Sequence, residues 1–394
     1  MQSRQVTFGA LAAGVLAGAV AFAQNGTPIN PNSNNALTVA VYGDLPYGVT
    51  PDDTTQTDKT LAFISTINDD PQVDLVLHVG DIHSGKQYCT EAYDLQIFDF
   101  WTTFKNPVIY TPGDNEWSDC HKSGEGGHVH VNGIPVDYAD GDPVANLDLV
   151  RSIFFADPGY ALGGRNKRVL TQALNFAQDH PEDAAYVENV MWEQSKVLFV
   201  TLNVPGGSNN DADNWFGLAR TQPQTDEIAA RSAADLRWLD AAFEQAAHDH
   251  VEAVVIQLQA DMWDLDSKAV SHLANYEQFI ASIASHTEAF GKPVLLFNGD
   301  SHHYRSDNPL EQNQGCVFEA GSDTVPCNSI PAAVDYTPDA WTNHPSYDVS
   351  NFHRVVVHGS TEPFEWVRLT IKPGTNAPAG SNAFGPFSWK RVTP

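Results

Sequence analysis

The sequence predicts an α/β fold. Short apolar, β-branched runs alternate with helical repeats along most of the chain, and four of the runs lead into a Gly-Asp pair. With 42% hydrophobic residues the chain can bury a large core. Its length would allow two domains, or one with long insertions. Because the Gly-Asp runs spread over nearly the whole length, a single domain over residues 36–394 is expected.

The strands follow in order. Leu37 to Tyr42 precedes Gly43-Asp44, and Val73 to Val79 precedes Gly80-Asp81. Val108 to Tyr110 leads into Gly113-Asp114, and Val294 to Phe297 into Gly299-Asp300. Val197 to Val204 and Val251 to Leu258 read as two more buried strands. Between them, Leu61, Ile64 and Ile67 mark one helix; Leu236, Leu239, Ala242 and Phe243 mark another. Phe279, Ile280 and Ile283 mark a third, ending near Gly291 and Pro293. Arg354 to His358 and Phe364 to Ile371, with no helix between them, suggest a closing hairpin. Residues 117–190 and 304–350 are irregular and read as insertions overhanging the strand ends, where open α/β sheets bind ligands.

The start of the chain reads as an export signal. Arg4 precedes an apolar run from Phe8 to Phe22 that ends in Ala21-Phe22-Ala23 before Gln24. The run is short for a membrane span, so residues 1–23 are expected to be a signal peptide and 24–35 a flexible leader. A periplasmic or extracellular location follows, with no membrane span in the mature protein. Four cysteines in an exported chain allow two disulfides in three pairings; Cys89 with Cys120 and Cys316 with Cys327 are expected. The net charge of −28 repels nucleic acid and excludes it as a partner.

Glycine at a strand's carboxyl end permits a sharp turn, and the following aspartate then projects from a rigid element. One such pair is a common turn, and Gly141-Asp142 reads as that kind. Four pairs behind four apolar strands bring Asp44, Asp81, Asp114 and Asp300 together if the strands are neighbours. Like charges so placed must take up protons or be neutralised by cations, and one or two divalent ions are the simpler answer. His302 adds a nitrogen ligand beside Asp300. Ser301 has no matching base, which argues against serine hydrolysis. His128-Val129-His130 lacks an evident third ligand and reads as loop.

The order Gly43-Asp44, Gly80-Asp81, Gly113-Asp114-Asn115-Glu116 and Gly299-Asp300-Ser301-His302 resembles the calcineurin-like metallophosphoesterase superfamily over about residues 37–303. The resemblance implies two mixed sheets packed face to face with helices outside, and a two-metal centre that hydrolyses phosphate esters. It also implies departures. Pro46 stands at the family's first histidine position, Asp114 at its metal-binding asparagine and Asn115 at its phosphate-assisting histidine. Gln259 stands at the histidine after a buried strand, and Asp300 at the first histidine of the last motif.

The metal ligands implied are therefore Asp44, Asp81, Asp114, Gln259, Asp300 and His302. This oxygen-rich set favours Mn²⁺, Mg²⁺ or Ca²⁺ over Zn²⁺, with iron also compatible. Asn115 would position a small phosphate ester, and His83 or His303 would supply a proton, with His121 a further candidate. The alternative is a metal- or phospholigand-binding protein on the same fold without turnover.

Overall fold

Leu37–Tyr42 (LTVAVY) forms a fully buried strand whose alternate residues serve two different cores. Leu37, Val39 and Val41 face a second sheet, while Ala40 and Tyr42 face helices. That period of two recurs through the sandwich and explains why these strands read as unbroken apolar runs. The computed structural model describes residues 35–176, 178–217, 219–264, 270–311, 315–318, 325–326 and 347–393.

Among these residues one sheet has seven strands, in the order Ala383–Phe384, Phe387–Val392, Trp366–Ile371, Leu37–Tyr42, Val73–His78, Pro107–Tyr110 and Leu162–Gly163. The other has nine, in the order Val325–Pro326, Gly315–Phe318, Arg305–Asp307, Phe352–Val356, Val294–Asn298, Ala253–Gln257, Val197–Thr201, Val190–Gln194 and Leu170–Thr171. Both are mixed. Leu37–Tyr42, Val73–His78 and Pro107–Tyr110 run parallel, as do Val197–Thr201, Ala253–Gln257, Val294–Asn298 and Phe352–Val356.

Helices close both outer faces. Thr60–Asn68 and Glu91–Trp101 cover the first sheet; Gln222–His248 and Glu277–Phe290 cover the second. Thr90 and Thr221 cap two of them by accepting the N–H of Tyr93 and Gln224. Glu277–Phe290 ends at Gly291 in the left-handed region. The two sheets also bond directly at their parallel strand ends: Gln257 Nε2 donates to the carbonyl of His78 (2.7 Å), and Thr111 Oγ1 to that of Leu202 (2.9 Å). The carboxyl ends of both parallel sets therefore meet at one edge.

Three expectations are revised. The last strands do not pair as a hairpin: Phe352–Val356 lies parallel to Val294–Asn298, while Trp366–Ile371 joins the other sheet against Leu37–Tyr42. Trp366–Ile371 and Phe387–Val392 pair antiparallel instead, the turn lying further along the chain. In the first helix Leu61 is exposed, and the buried stripe is Phe63, Ile64 and Ile67. The stretch 117–190 contains a full helix, Pro143–Phe154, and the Gly141-Asp142 turn is its cap, with Asp142 Oδ1 accepting the N–H of Ala145 at 2.8 Å. Residues 1–34 and Cys327 lie outside the described residues, and with them the leader and the second cysteine pair. Among the described residues no helix is long and apolar enough to cross a membrane.

Candidate metal centre

The four Gly-Asp turns interlock. A Cβ on Gly113 would stand 1.9 Å from Asp81 Oδ1, and one on Gly299 would stand 2.2 Å from Asp44 Oδ2. Each glycine thus leaves room for a neighbouring strand's carboxylate. Asp44, Asp81 and Asp300 have φ of 52°, 58° and 74°, and His302 has 56°. Left-handed backbone at residues with a Cβ costs on the order of 1 kcal/mol each. Here the surrounding sheet ends hold it in place, with Asp44 N–H on the carbonyl of Gly80 (2.9 Å) and Leu45 N–H on that of Asp81 (3.1 Å).

The side chains then converge. Asp44 Oδ1 accepts the N–H of Asp300 (2.9 Å) and lies 3.4 Å from His302 Nε2. Asp81 Oδ2 accepts the Tyr47 hydroxyl (2.7 Å), Asn115 Nδ2 (3.0 Å) and Gln259 Nε2 (3.2 Å). Gln259 Nε2 also donates to Asp114 Oδ1 at 3.1 Å, and its Oε1 accepts the Gly206 N–H. Asp300 Oδ1 and Asp114 Oδ2 lie 2.5 and 2.6 Å from the point where a Gly206 side chain would begin. Beneath them Glu116 Oε1 accepts the Tyr110 hydroxyl and the Gly113 N–H, fixing the turn that presents Asp114.

Burial pushes Asp81 well above the usual carboxylate range, and Asp114, Glu116 and Asp44 add to it. Burial, with Asp114, does the same to Asp300. Asp114 is raised to about 7 by burial and by Asp119. Burial opposes charge on the His302 ring, but Asp44 outweighs it and raises the imidazole. Asp44 Oδ2 is buried without a hydrogen-bond partner. Such crowding calls for positive charge, and the donor atoms to hold it are in place: Asp44, Asp81 and His302 each offer one ligand atom within 4.8 Å of the others. Among the described residues no other His, Cys, Asp or Glu group of three meets that condition. A divalent ion fits this pocket.

The calcineurin-like phosphoesterase profile matches residues 37–304, which contain all four turns. The chain belongs to this family. No curated protein matches it in sequence. Among solved structures it is similar to a purple acid phosphatase from yellow lupin (Lupinus luteus) seeds, at 14% identity and a TM-score of 0.38. That match covers 86% of this chain, which spans 50% of the lupin chain. The chain has the two mixed sheets expected of the family, and membership in the family implies divalent metal ions.

The remaining sequence candidates are placed unevenly around this metallophosphoesterase pocket. Asn115, nearly buried, donates to Asp81 and to the Tyr47 hydroxyl (2.9 Å). His83 is sealed against Tyr93 with Nε2 unpartnered, and burial lowers it to about 4, so it is neutral at pH 7. His303 is half-buried beside His302. His121 packs edge-on to Phe216. Gln259 turns its NH₂, not its oxygen, toward the carboxylates, because Gly206 N–H holds the oxygen. Cys89 and Cys120 are joined, tying the loop after Asp81 to the loop after Asp114, and both sulfurs lie near the carbonyl of Asn115. The rings of His128 and His130 face Asp140 at 4.0 and 3.3 Å.

Two contributors escaped the sequence reading. Tyr47 bonds Asp81 and packs edge-on against His302, with its hydroxyl 3.2 Å from Nε2. Its signal was position: it stands three residues beyond Asp44, past the cis Leu45-Pro46 bond. Asp261, two residues beyond Gln259, is the other. Its N–H donates to Asp300 (3.1 Å), and its carboxylate accepts the Ser301 hydroxyl (2.9 Å) and the buried guanidinium groups of Arg305 and Arg354 (each 2.5 Å).

Proposed function

We propose that this protein is an exported, metal-dependent hydrolase of small phosphate esters. The observation that carries the reading is the Asp44, Asp81 and His302 triad at the parallel strand ends of a phosphoesterase-family fold. These three would hold one ion. A second, in an all-oxygen position suited to Mg²⁺, Mn²⁺ or Ca²⁺, would need Asp81, Asp114 and Asp300 to draw closer together than they stand, since the three do not meet the distance condition that the triad meets. When bound, such ions polarise phosphoryl oxygens and lower the pKa of water.

The chain's own groups do the rest. Tyr47 and Asn115 anchor Asp81 from two sides, and the Asp261 N–H anchors Asp300. Asn115 brings an amide donor to the rim, where it can turn to a phosphoryl oxygen. His303, next to His302 and half-buried, is the better-placed proton donor for the leaving alkoxide, since His83 is sealed and neutral. The orientation of Gln259 favours a second reading, ligand binding without turnover: its NH₂ lies between Asp81 and Asp114, so its oxygen reaches an ion only if the amide turns over and releases Gly206.

Metal content and hydrolysis of aryl phosphate mono- and diesters with added Mn²⁺ or Mg²⁺, compared between wild type and Asp81→Asn, test the proposal. Bound metal and turnover in the wild type, both lost in the variant, are expected. Equal turnover in the variant refutes the assignment of Asp81; metal binding without turnover selects the second reading.

A further inference from the structure

Ser301 sits between Asp300 and His302, in a turn where both neighbours take left-handed backbone, with φ of 74° and 56°. Such a turn persists only where its surroundings fix it. The His302 side is tied down by Thr361, whose Oγ1 donates to the His302 carbonyl at 2.5 Å. The Asp300 side is tied to Asp261 at two points. The Ser301 hydroxyl donates to Asp261 Oδ2 (2.9 Å), and the Asp261 N–H donates back to Asp300 Oδ2 (3.1 Å). With Oδ2 engaged, Asp300 Oδ1 is the oxygen that stands against Gly206 beside Asp114 Oδ2.

Asp261 is in turn held by two arginines. Arg305 Nη1 reaches its Oδ2 and Arg354 Nη1 its Oδ1, each at 2.5 Å. Arg354 is clamped from another edge by Asp307, through Nε (2.8 Å) and Nη2 (2.7 Å), and its guanidinium lies 5.2 Å from the centre of the Trp263 ring. Arg305 Nη2 lies 2.7 Å from Asp264. All five ionic groups are buried. Burying ions is costly, and an apolar cluster of the same volume often serves stability as well. Nor do these five groups neutralise the metal site, since three carboxylates against two guanidinium groups add one negative charge. What they supply is a carboxylate of fixed orientation. Engaged by both arginines, Asp261 is a poor base, so the Ser301 hydroxyl is held and not activated.

We propose that Ser301 is a positioning residue: its hydroxyl, seated on the arginine-fixed carboxylate of Asp261, sets the turn that presents Asp300 and His302 to divalent metal. The role deepens the metal-dependent reading of the site and rests on it for its effect on affinity. No covalent step is involved. A hydrogen bond one step behind a metal ligand orients that ligand, and losing it weakens metal binding by about 10-fold to 100-fold.

The test uses the full chain, stripped of metal, and two variants. Ser301→Ala removes the hydroxyl and Ser301→Thr keeps it. Titration calorimetry with Mn²⁺ should show affinity weakened about 10-fold to 100-fold in the Ala variant and restored most of the way in the Thr variant. The metal-free proteins should melt within about 2 °C of one another, because Asp261 Oδ2 keeps its Arg305 partner. Amide hydrogen exchange of the metal-free proteins should be faster in the Ala variant over the segments holding Asp261 and Ser301, with protection regained in the Thr variant. Wild-type Mn²⁺ affinity in the Ala variant overturns the proposal. Equal weakening in both variants also overturns it, because the hydroxyl would then not be what matters. A large fall in the melting temperature of the metal-free Ala variant does the same, by making the bond a folding contact. If the wild type binds no divalent ion, the metal-dependent reading fails. Exchange then still decides whether Ser301 holds the turn: faster exchange in the Ala variant supports that role, and unchanged exchange overturns it.

Discussion

Replacing Gly206 with alanine would separate the two ion positions proposed above. The added Cβ would lie 2.5 Å from Asp300 Oδ1 and 2.6 Å from Asp114 Oδ2, well inside van der Waals contact. Gly206 is not in the left-handed region, so the conflict is one of space alone. Overfilling a packed site of this kind costs about 1–3 kcal/mol. With an unfolding entropy of about 2.1 cal/mol/K per residue, that lowers Tm by roughly 1–4 °C in a chain of this size. The larger effect is on metal. Relief requires Asp114 and Asp300 to give way, since theirs are the atoms nearest the new methyl group. Metal analysis after dialysis should show the variant keeping the ion of the triad and losing the ion of the all-oxygen position, with hydrolysis falling accordingly. Thermal melts with and without chelator give the folding cost separately. Unchanged stoichiometry together with an unchanged Tm would refute the reasoning, since the methyl group must displace something.

Two further predictions concern parts of the molecule away from the triad. Burial raises Asp235 to about 8, against 3.8 for the free side chain, with Arg231 and Asn189 opposing. The folded state therefore keeps this proton longer than the unfolded state, and stability falls as pH rises from about 4 to about 8. Asp235→Asn should flatten that slope and be the more stable protein at pH 8; parallel denaturation curves for the two across that window would contradict it. Removing the Cys89–Cys120 link, whose partners are separated by 31 residues, should cost about 3–4 kcal/mol from loop entropy. Urea denaturation of a Cys89→Ser, Cys120→Ser double variant measures this, and a loss near zero would show that the two loops are held without it.

Much of this arrangement was legible because it rests on backbone rules. A buried parallel strand is an apolar run, and a turn at its end that must admit a close neighbour needs glycine: a carboxylate at Gly113 and Gly299, Val79 and Gln259 at Gly43 and Gly80, so the four mark the site from sequence alone. Of the three pairings that four cysteines allow, the expected Cys89–Cys120 link is present. What stayed hidden depends on three-dimensional neighbours. Strand partnership is one such case: nothing local says that Phe352–Val356 lies beside Val294–Asn298 while Trp366–Ile371 crosses to the other sheet. Side-chain orientation is another. Gln259 reads as an oxygen ligand until the Gly206 N–H is seen to claim that oxygen, and Tyr47 reads as a loop aromatic until its hydroxyl meets Asp81. His83 stands two residues after Asp81, yet it faces Tyr93 instead of the pocket.

The strain at the site and the charge at the site have one common support. Asp44, Asp81 and Asp300 adopt left-handed backbone, and an isolated turn would relax out of it. Here two of the turns hold a carboxylate against the glycine of another, Asp81 against Gly113 and Asp44 against Gly299, while Gly43 and Gly80 are closed by Val79 and Gln259. The turns therefore lock as a set, and the carboxylates stay gathered although burial and mutual repulsion favour dispersal. The support comes from the strand ends and the two sheet-to-sheet hydrogen bonds, Gln257 to His78 and Thr111 to Leu202, and not from the overhanging insertions. The lock thus makes the carboxylate cluster a property of the sandwich itself. The surroundings come from elsewhere: the insertion carrying Lys122, Glu125 and Asp137, and the loop from Gly206 to Phe216, whose first residue lies against Asp114 and Asp300. Metal affinity should accordingly follow the motif glycines, while substrate preference follows the loops.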